Sequence, residues 1–197
     1  MSDVYIAGSG LTAFGKFHDK TLKDLSATAV REALTDAGVR VDGIEAAFVG
    51  NAVAGLITGQ EMIRGQVMLR PLGFGEIPIF NIENACASSS SAFHLGHQAV
   101  ASGAYDVVLA VGAEKLTHED KQVSFDAIGT AVDLEQMQEM EAELGSSSDR
   151  SFFMDIYAGL TKEYFSKSGA TQDDLARVVV KARDHAALNP KAQYREI

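Results

Sequence analysis

The 197-residue sequence has a single cysteine, Cys86, and is short of positive charge, with 17 Lys and Arg against 27 Asp and Glu for a net charge of −10. One cysteine excludes an internal disulfide and any multi-cysteine metal site. The deficit of cations argues against a nucleic-acid binder, because phosphate affinity rests on clustered positive charge. No apolar run reaches the ~20 residues that cross a bilayer, so no membrane span is expected. The stretch from Met1 to Gly10 has no basic region followed by an apolar one, so no secretory signal is expected. A reducing cytoplasm is the natural compartment for a lone thiol. What remains is ordinary for a soluble globular chain: 46% apolar and 22% charged residues. A chain this long buries about 70% of its unfolded surface and makes one sizeable domain or two small ones.

The first half alternates apolar runs with amphipathic stretches. Val4 to Ala7 predicts a strand ending at Gly8-Ser9-Gly10. Thr21 opens a helix with Asp24 three residues on, a weaker form of the capping box. Leu22, Leu25, Ala29, Ala33 and Ala37 follow at helical spacing, and Gly38 stops it. Ala46 to Gly50 is the next apolar run. A shorter helix is predicted from about Glu61 to Leu69, then a β-rich run over Ile77 to Ile82 and a helix over Ser88 to Ser102. Tyr105 to Gly112 contains Val107-Val108-Leu109-Ala110-Val111, an unbroken run expected of a strand buried on both faces. This alternation up to about Glu114 predicts an α/β fold with a parallel sheet and right-handed crossovers.

The character then changes. Asp133 to Asp149 carries six acids and no Lys or Arg. Leu134, Met137, Met140 and Leu144 give it an apolar stripe, as in an amphipathic helix with a solvated acidic face; a docking surface for a basic partner is the alternative. Gly145 to Ser148 is expected to be a loop. Ser151 to Lys167 predicts a helix rich in aromatics: Phe152, Phe153, Tyr157, Tyr164 and Phe165. They read as core, with an acyl-chain wall as the alternative. Thr171 with Asp174 marks a second capped start, and Asn189-Pro190 ends that helix.

The stretch Ile79 to Ser91 carries the chemistry. A strand ends near Glu83, a helix begins near Ser88, and Cys86 lies at the turn between them. In an open parallel sheet, ligands bind beyond the carboxyl ends of the strands. Free N–H groups in the first turn of a helix, together with its dipole, favour a thiolate there. The same groups stabilise an oxyanion when a thioester carbonyl is attacked. Ala85, Ala87 and the four serines leave room for close approach, as in a nucleophile elbow with Cys in place of Ser. The plainer alternative is a small buried hydrophobe.

A nucleophilic cysteine ordinarily needs a base. His94 and His97 lie roughly 12 and 16 Å further along the same helix, out of reach, and read as helix surface. His118 leaves the neighbouring strand at the same sheet edge, which makes it the best local candidate. His18 and His185 read as surface positions. Gly8-Ser9-Gly10 lacks the third glycine and the acidic partner of a dinucleotide fingerprint, and no phosphate-binding loop is present. Glu139, Glu141 and Glu143 read as solvated. Met62, Met68, Met137, Met140 and Met154 read as core filler.

At Asn84-Ala-Cys-Ala-Ser-Ser-Ser-Ser-Ala92 the chain resembles the thiolase superfamily, in particular its sterol-carrier-protein-type and related bacterial branch. Val4-Tyr-Ile-Ala-Gly-Ser-Gly-Leu-Thr-Ala-Phe-Gly15 resembles that branch's opening strand and loop. Gly112-Ala-Glu-Lys-Leu-Thr117 resembles the segment after its fourth strand. Tyr164-Phe-Ser-Lys-Ser-Gly-Ala-Thr171 and His185-Ala-Ala-Leu-Asn-Pro-Lys-Ala192 resemble its loop domain. The resemblance implies a layered αβαβα architecture built from two similar halves, of which this chain supplies one incomplete half, a mostly parallel sheet with flanking helices, plus helical loop-domain segments. The division it suggests is 1–118 for the α/β domain with the nucleophile and 119–197 for an incomplete loop-domain segment.

The activity implied is acyl transfer on coenzyme A thioesters. Cys86 maps onto the family's nucleophile, and its N–H would supply part of an oxyanion hole. No permanently bound cofactor is implied; the coenzyme A thioester is substrate. The family's second cysteine, its Gly-His histidine and its Asn or His motif lie in a C-terminal half with no counterpart here. The half's last strand would fall beyond Ile197. The expectation is therefore a protein completed by a C-terminal half or a second polypeptide, as a homo- or hetero-oligomer, with a split enzyme, a fragment and a scaffold all consistent. Retro-aldol cleavage of a β-hydroxyacyl thioester and a non-catalytic subunit are the competing functions.

Overall fold

The computed structural model describes residues 3–145 and 152–196. The serines expected in the loop at 146–148, and Ser151, lie outside the described residues. Two compact units emerge. The first takes the chain up to Thr12 and Lys16–Ser124; the second takes Ala13–Gly15 and the chain from Phe125 onward.

The first unit is organised around β1, Ala46–Gly50, all five residues of which are buried. It pairs in parallel with β2 (Ile79–Ile82) on one side and β3 (Val108–Gly112) on the other. On one face of β1, Ala47 and Val49 pack with Val30, Met68 and Leu69. These come from α1 (Leu22–Ala37) and α3 (Arg64–Leu69). On the other face, Ala46 and Phe48 pack with Ala92 of α4 (Ser88–Ala101). Phe48 also stacks on Phe80 of β2, ring centres 5.0 Å apart. Each large side chain so buried stabilises the fold by about 1.5–3 kcal/mol.

Three sequence expectations are corrected. Val4–Ala7 is not a strand: residues 3–14 have no regular secondary structure, and Tyr5 and Ile6 are 81% and 75% exposed. A strand needs a ladder, and here the Ser9 and Leu11 N–H groups donate to the carboxylates of Asp36 and Glu32 on α1, at 2.8 and 2.9 Å. Gly8 and Gly10 are there for contact with that helix, since a Cβ on Gly10 would sit 2.0 Å from the Ala29 carbonyl oxygen. Secondly, β3 is buried on one face only. Leu109 and Val111 point into the core, while on the other face, which α4 covers only in part, Val108 is half-buried and Ala110 and Gly112 are exposed. Thirdly, the helix expected over Glu61–Leu69 is shorter, and α2 (Ala54–Thr58) precedes it. Of the five methionines read as core, only Met68 is fully buried; Met62 and Met154 are exposed.

The ends of α1 follow the sequence closely. The Thr21 N–H and hydroxyl donate to Asp24 Oδ2 at 2.8 and 2.6 Å, the Asp24 N–H returns to Thr21 Oγ1, and Gly38 takes the left-handed conformation, φ 63°. The Thr21 hydroxyl bond, then the Thr21 N–H, hold the Asp24 carboxyl below its ordinary range. A depressed carboxyl stabilises the fold fully above its unfolded value, about 3.9, and the contribution is lost as pH falls through the folded value. Thermal melts of the parent and of Asp24→Ala should therefore differ at pH 6 and converge below about pH 4. A gap that stays constant with pH would remove the carboxylate from the account.

In the second unit, α6 (Met137–Leu144) and α7 (Phe152–Ser168) meet, with Gly159 against Leu144. Glu139, Glu141 and Glu143 are exposed and Met137, Met140 and Leu144 half-buried, the expected amphipathic pattern; Leu134, read as part of that stripe, precedes the helix and is exposed, and Asp149 lies outside the described residues. Phe152, Phe153 and Phe165 are half-buried, Tyr157 and Tyr164 exposed. α8 (Gln172–Leu188) begins at Thr171, whose N–H and hydroxyl both reach Asp174 at 2.9 Å. A further helix, α5, spans Lys121–Gly129. No helix among the described residues is long and apolar enough to cross a membrane.

Candidate active site

The three strands end level with one another. Gly50 stands in register with Ile82 of β2 and Gly112 of β3, so the loops that follow leave from one carboxyl edge. Onto this edge the first turn of α4 is seated through two glycines. A Cβ on Gly50 would lie 2.7 Å from the Ser88 carbonyl carbon and from the Ser89 N and Cα; one on Gly112 would lie 2.0 Å from Ser89 Oγ. Backbone contact this close requires glycine, and it places the preceding turn, with Cys86, directly beyond the sheet.

That turn, Ala85–Ala87, is a single turn of 3₁₀ helix running straight into α4. Cys86 is exposed and is not core filler. Ala87, at the start of α4, provides no capping side chain; the Ala87 N–H donates to the Asn84 carbonyl at 2.9 Å and the Ser88 N–H to the Ala85 carbonyl, so turn and helix form one continuous run with Cys86 at its dipole-positive start. Ala85 has φ 45°, a left-handed conformation that costs a non-glycine residue about 1–2 kcal/mol. Several side chains surround it. Glu83 Oε1 accepts the Ala85 N–H at 2.6 Å. The buried Ser88 hydroxyl accepts the Asn84 N–H at 2.9 Å and donates to the Ala85 carbonyl at 2.7 Å. The Asn84 amide donates to Ser91 Oγ at 2.9 Å.

The loops after β1 and β3 are tied together by Glu114. Its Oε2 accepts the Ala52 and Val53 N–H groups at 2.9 and 3.1 Å, and its Oε1 accepts Asn51 Nδ2 at 3.2 Å. Asn51, 4% exposed, also donates to the Ala113 carbonyl at 2.7 Å. Both partners of Nδ2 are acceptors, which fixes the amide's orientation. Lys115 extends the network by donating to the carbonyls of Phe17, at 2.9 Å, and Lys20.

None of Asn51, Glu83 and Glu114 stood out in the sequence as a site residue. The available signal was a carboxylate or amide directly following an apolar strand, at the edge where parallel sheets place their ligands. His94 is exposed on α4 and contacts Gln98 at 2.9 Å; His97 is exposed too. His118 Nδ1 lies 3.0 Å from the Asp120 N and 3.1 Å from the Asp120 carbonyl oxygen, contacts within its own loop. What the edge offers is therefore an accessible sulfur at the start of a helix and a braced turn, suited to attack on a polarised carbonyl.

The chain is similar to known proteins. The family described as "Thiolase, N-terminal domain" matches residues 4–197. An acetyl-CoA acetyltransferase of Methanothermobacter thermautotrophicus is 37% identical over 98% of the chain and 48% of that protein. The benzoylsuccinyl-CoA thiolase subunit BbsB of Thauera aromatica is 36% identical over 98% and 46%. The chain thus spans about half the length of the curated relatives it matches. Among solved structures, an Ltp2-ChsH2(DUF35) aldolase superposes with a TM-score of 0.65 at 24% identity, over 96% of this chain and 44% of that one. The Acat5 thiolase of Ascaris suum, solved in complex with coenzyme A, gives 0.54 at 24% identity over 60% and 32%. Sheet, flanking helices and family match agree: this chain belongs to the thiolase family, of whose fold it forms a part built on the N-terminal domain.

Proposed function

We propose that this chain carries the acyl-accepting nucleophile of a coenzyme A-dependent acyltransferase, with Cys86 as that nucleophile. The observation that carries the reading is an exposed thiol at the carboxyl edge of a parallel sheet, at the uncapped start of α4, in a chain of the thiolase family. The Cys86 sulfur attacks the thioester carbonyl, the Cys86 N–H and the dipole of α4 steady the oxyanion, and the bond to the coenzyme A sulfur breaks. The acyl group is then on Cys86. The proton given up by the thiol equals the one taken by the departing coenzyme A thiol, so the step is neutral overall. A carbanion acceptor then takes the acyl group in a Claisen condensation, or the sequence runs backward as thiolytic cleavage of a β-ketoacyl thioester.

The groups for the second half-reaction come from a C-terminal half or a second polypeptide, in an oligomer working in the cytoplasm, where the thiol stays reduced. The relatives named as an acetyl-CoA acetyltransferase and a benzoylsuccinyl-CoA thiolase subunit support an acyl-CoA as substrate. Iodoacetamide should alkylate Cys86 faster than a free thiol at pH 7, and a saturating acyl-CoA should slow the labelling at least about tenfold by occupying the sulfur. Labelling at the rate of an ordinary thiol, indifferent to acyl-CoA, would sink the reading.

A further inference from the structure

We propose that Glu83 is a positioning residue for Cys86, its carboxylate holding Ala85 in the left-handed conformation that shapes the turn carrying the thiol. The inference rests on Cys86 being the nucleophile and adds how its turn is kept in shape. Only Ala85 and Ile63 among the described non-glycine residues have positive φ, and Ala85 immediately precedes Cys86. Strained backbone persists where its surroundings over-determine it. Two side chains do so here. Ser88 holds the Ala85 carbonyl, but Ser88 is buried and is also part of the seat of α4 on the sheet. Glu83 holds the Ala85 N–H at 2.6 Å, a short bond to a charged acceptor. Glu83 is exposed and contributes nothing to the core, so this bond is what its side chain does.

The bond needs an acceptor oxygen and not a proton shuttle, so glutamine should replace glutamate. With neither present, Ser88 alone holds Ala85, which can relax toward negative φ and shift the turn that carries Cys86. Glycine at position 85 adopts φ near 45° without a brace and should suppress the loss.

The test measures, in the intact protein, the rate of Cys86 alkylation by iodoacetamide and the mass gain on mixing with acetyl-CoA, with circular dichroism to verify folding. Glu83→Ala should slow alkylation about tenfold, Glu83→Gln should stay within about threefold of the parent, and the double variant Glu83→Ala with Ala85→Gly should return to that range. Glu83→Ala at the parental rate, Glu83→Gln as slow as Glu83→Ala, or no rescue by Ala85→Gly would each overturn the proposal. Failure of the nucleophile reading has a separate signature: no acyl mass on the parent itself, whatever the alkylation rates.

Discussion

Replacing Cys86 with alanine is expected to lower acyl transfer by at least about a thousandfold while leaving the melting temperature of the protein unchanged. The two halves of this expectation have different physical sources. Losing a nucleophile removes the covalent route itself, and residual catalysis then comes only from binding and oxyanion stabilisation. The side chain is exposed, so its truncation opens no cavity and should alter stability by less than about 0.5 kcal/mol. Steady-state turnover in the completed enzyme, beside a thermal melt, reads both. The same variant separates the competing activity: a retro-aldol lyase needs no acyl-cysteine, and Cys86→Ala would leave such cleavage largely intact.

Gly50→Ala should strongly disrupt the seat of α4 on the sheet. Its Cβ would meet three backbone atoms of Ser88 and Ser89 at 2.7 Å, and backbone cannot swing aside as a side chain can. The start of α4 must therefore lift off the sheet, at a cost of about 1–3 kcal/mol or more. Lifting it also displaces the turn that carries Cys86, so alkylation of the thiol should slow in the same variant. Gly112→Ala is the informative comparison. There the nearest atom is Ser89 Oγ at 2.0 Å, with Ser89 Cβ at 2.8 Å. Removing that side chain with Ser89→Gly should restore much of the stability lost by Gly112→Ala and none of that lost by Gly50→Ala. Urea denaturation midpoints with an unchanged slope would measure this; equal rescue of both would show that the α4 backbone yields more readily than close packing allows.

Much of the fold was readable because the relevant forces act over a few residues. Thr21 and Asp24 cap α1 by bonds three residues apart, and Gly38 ends it by a backbone conformation of its own. The apolar Ala46–Gly50 formed the central strand, and the change from β-rich to helical pattern between Ile82 and Ser88 placed Cys86 at a strand-to-helix turn. Val4–Ala7 shows where this stops. Its composition suits a strand, yet strand formation depends on a partner elsewhere in the chain, and the adjacent backbone donors at Ser9 and Leu11 went to carboxylates on α1. Pattern alone cannot tell a strand with a neighbour from one without.

The periodicities, the caps and the single sulfur at a turn are legible in the chain, because each is written in neighbouring residues. What surrounds that sulfur is set by the packed fold. Gly50 and Gly112 lie 62 positions apart, and both meet Ser89 because β1 and β3 pair in register; Glu114 holds Ala52 and Val53 for the same reason. Contacts between distant parts of a chain follow from sheet register and helix seating, which arise from the burial of a whole core rather than from any local run of residues.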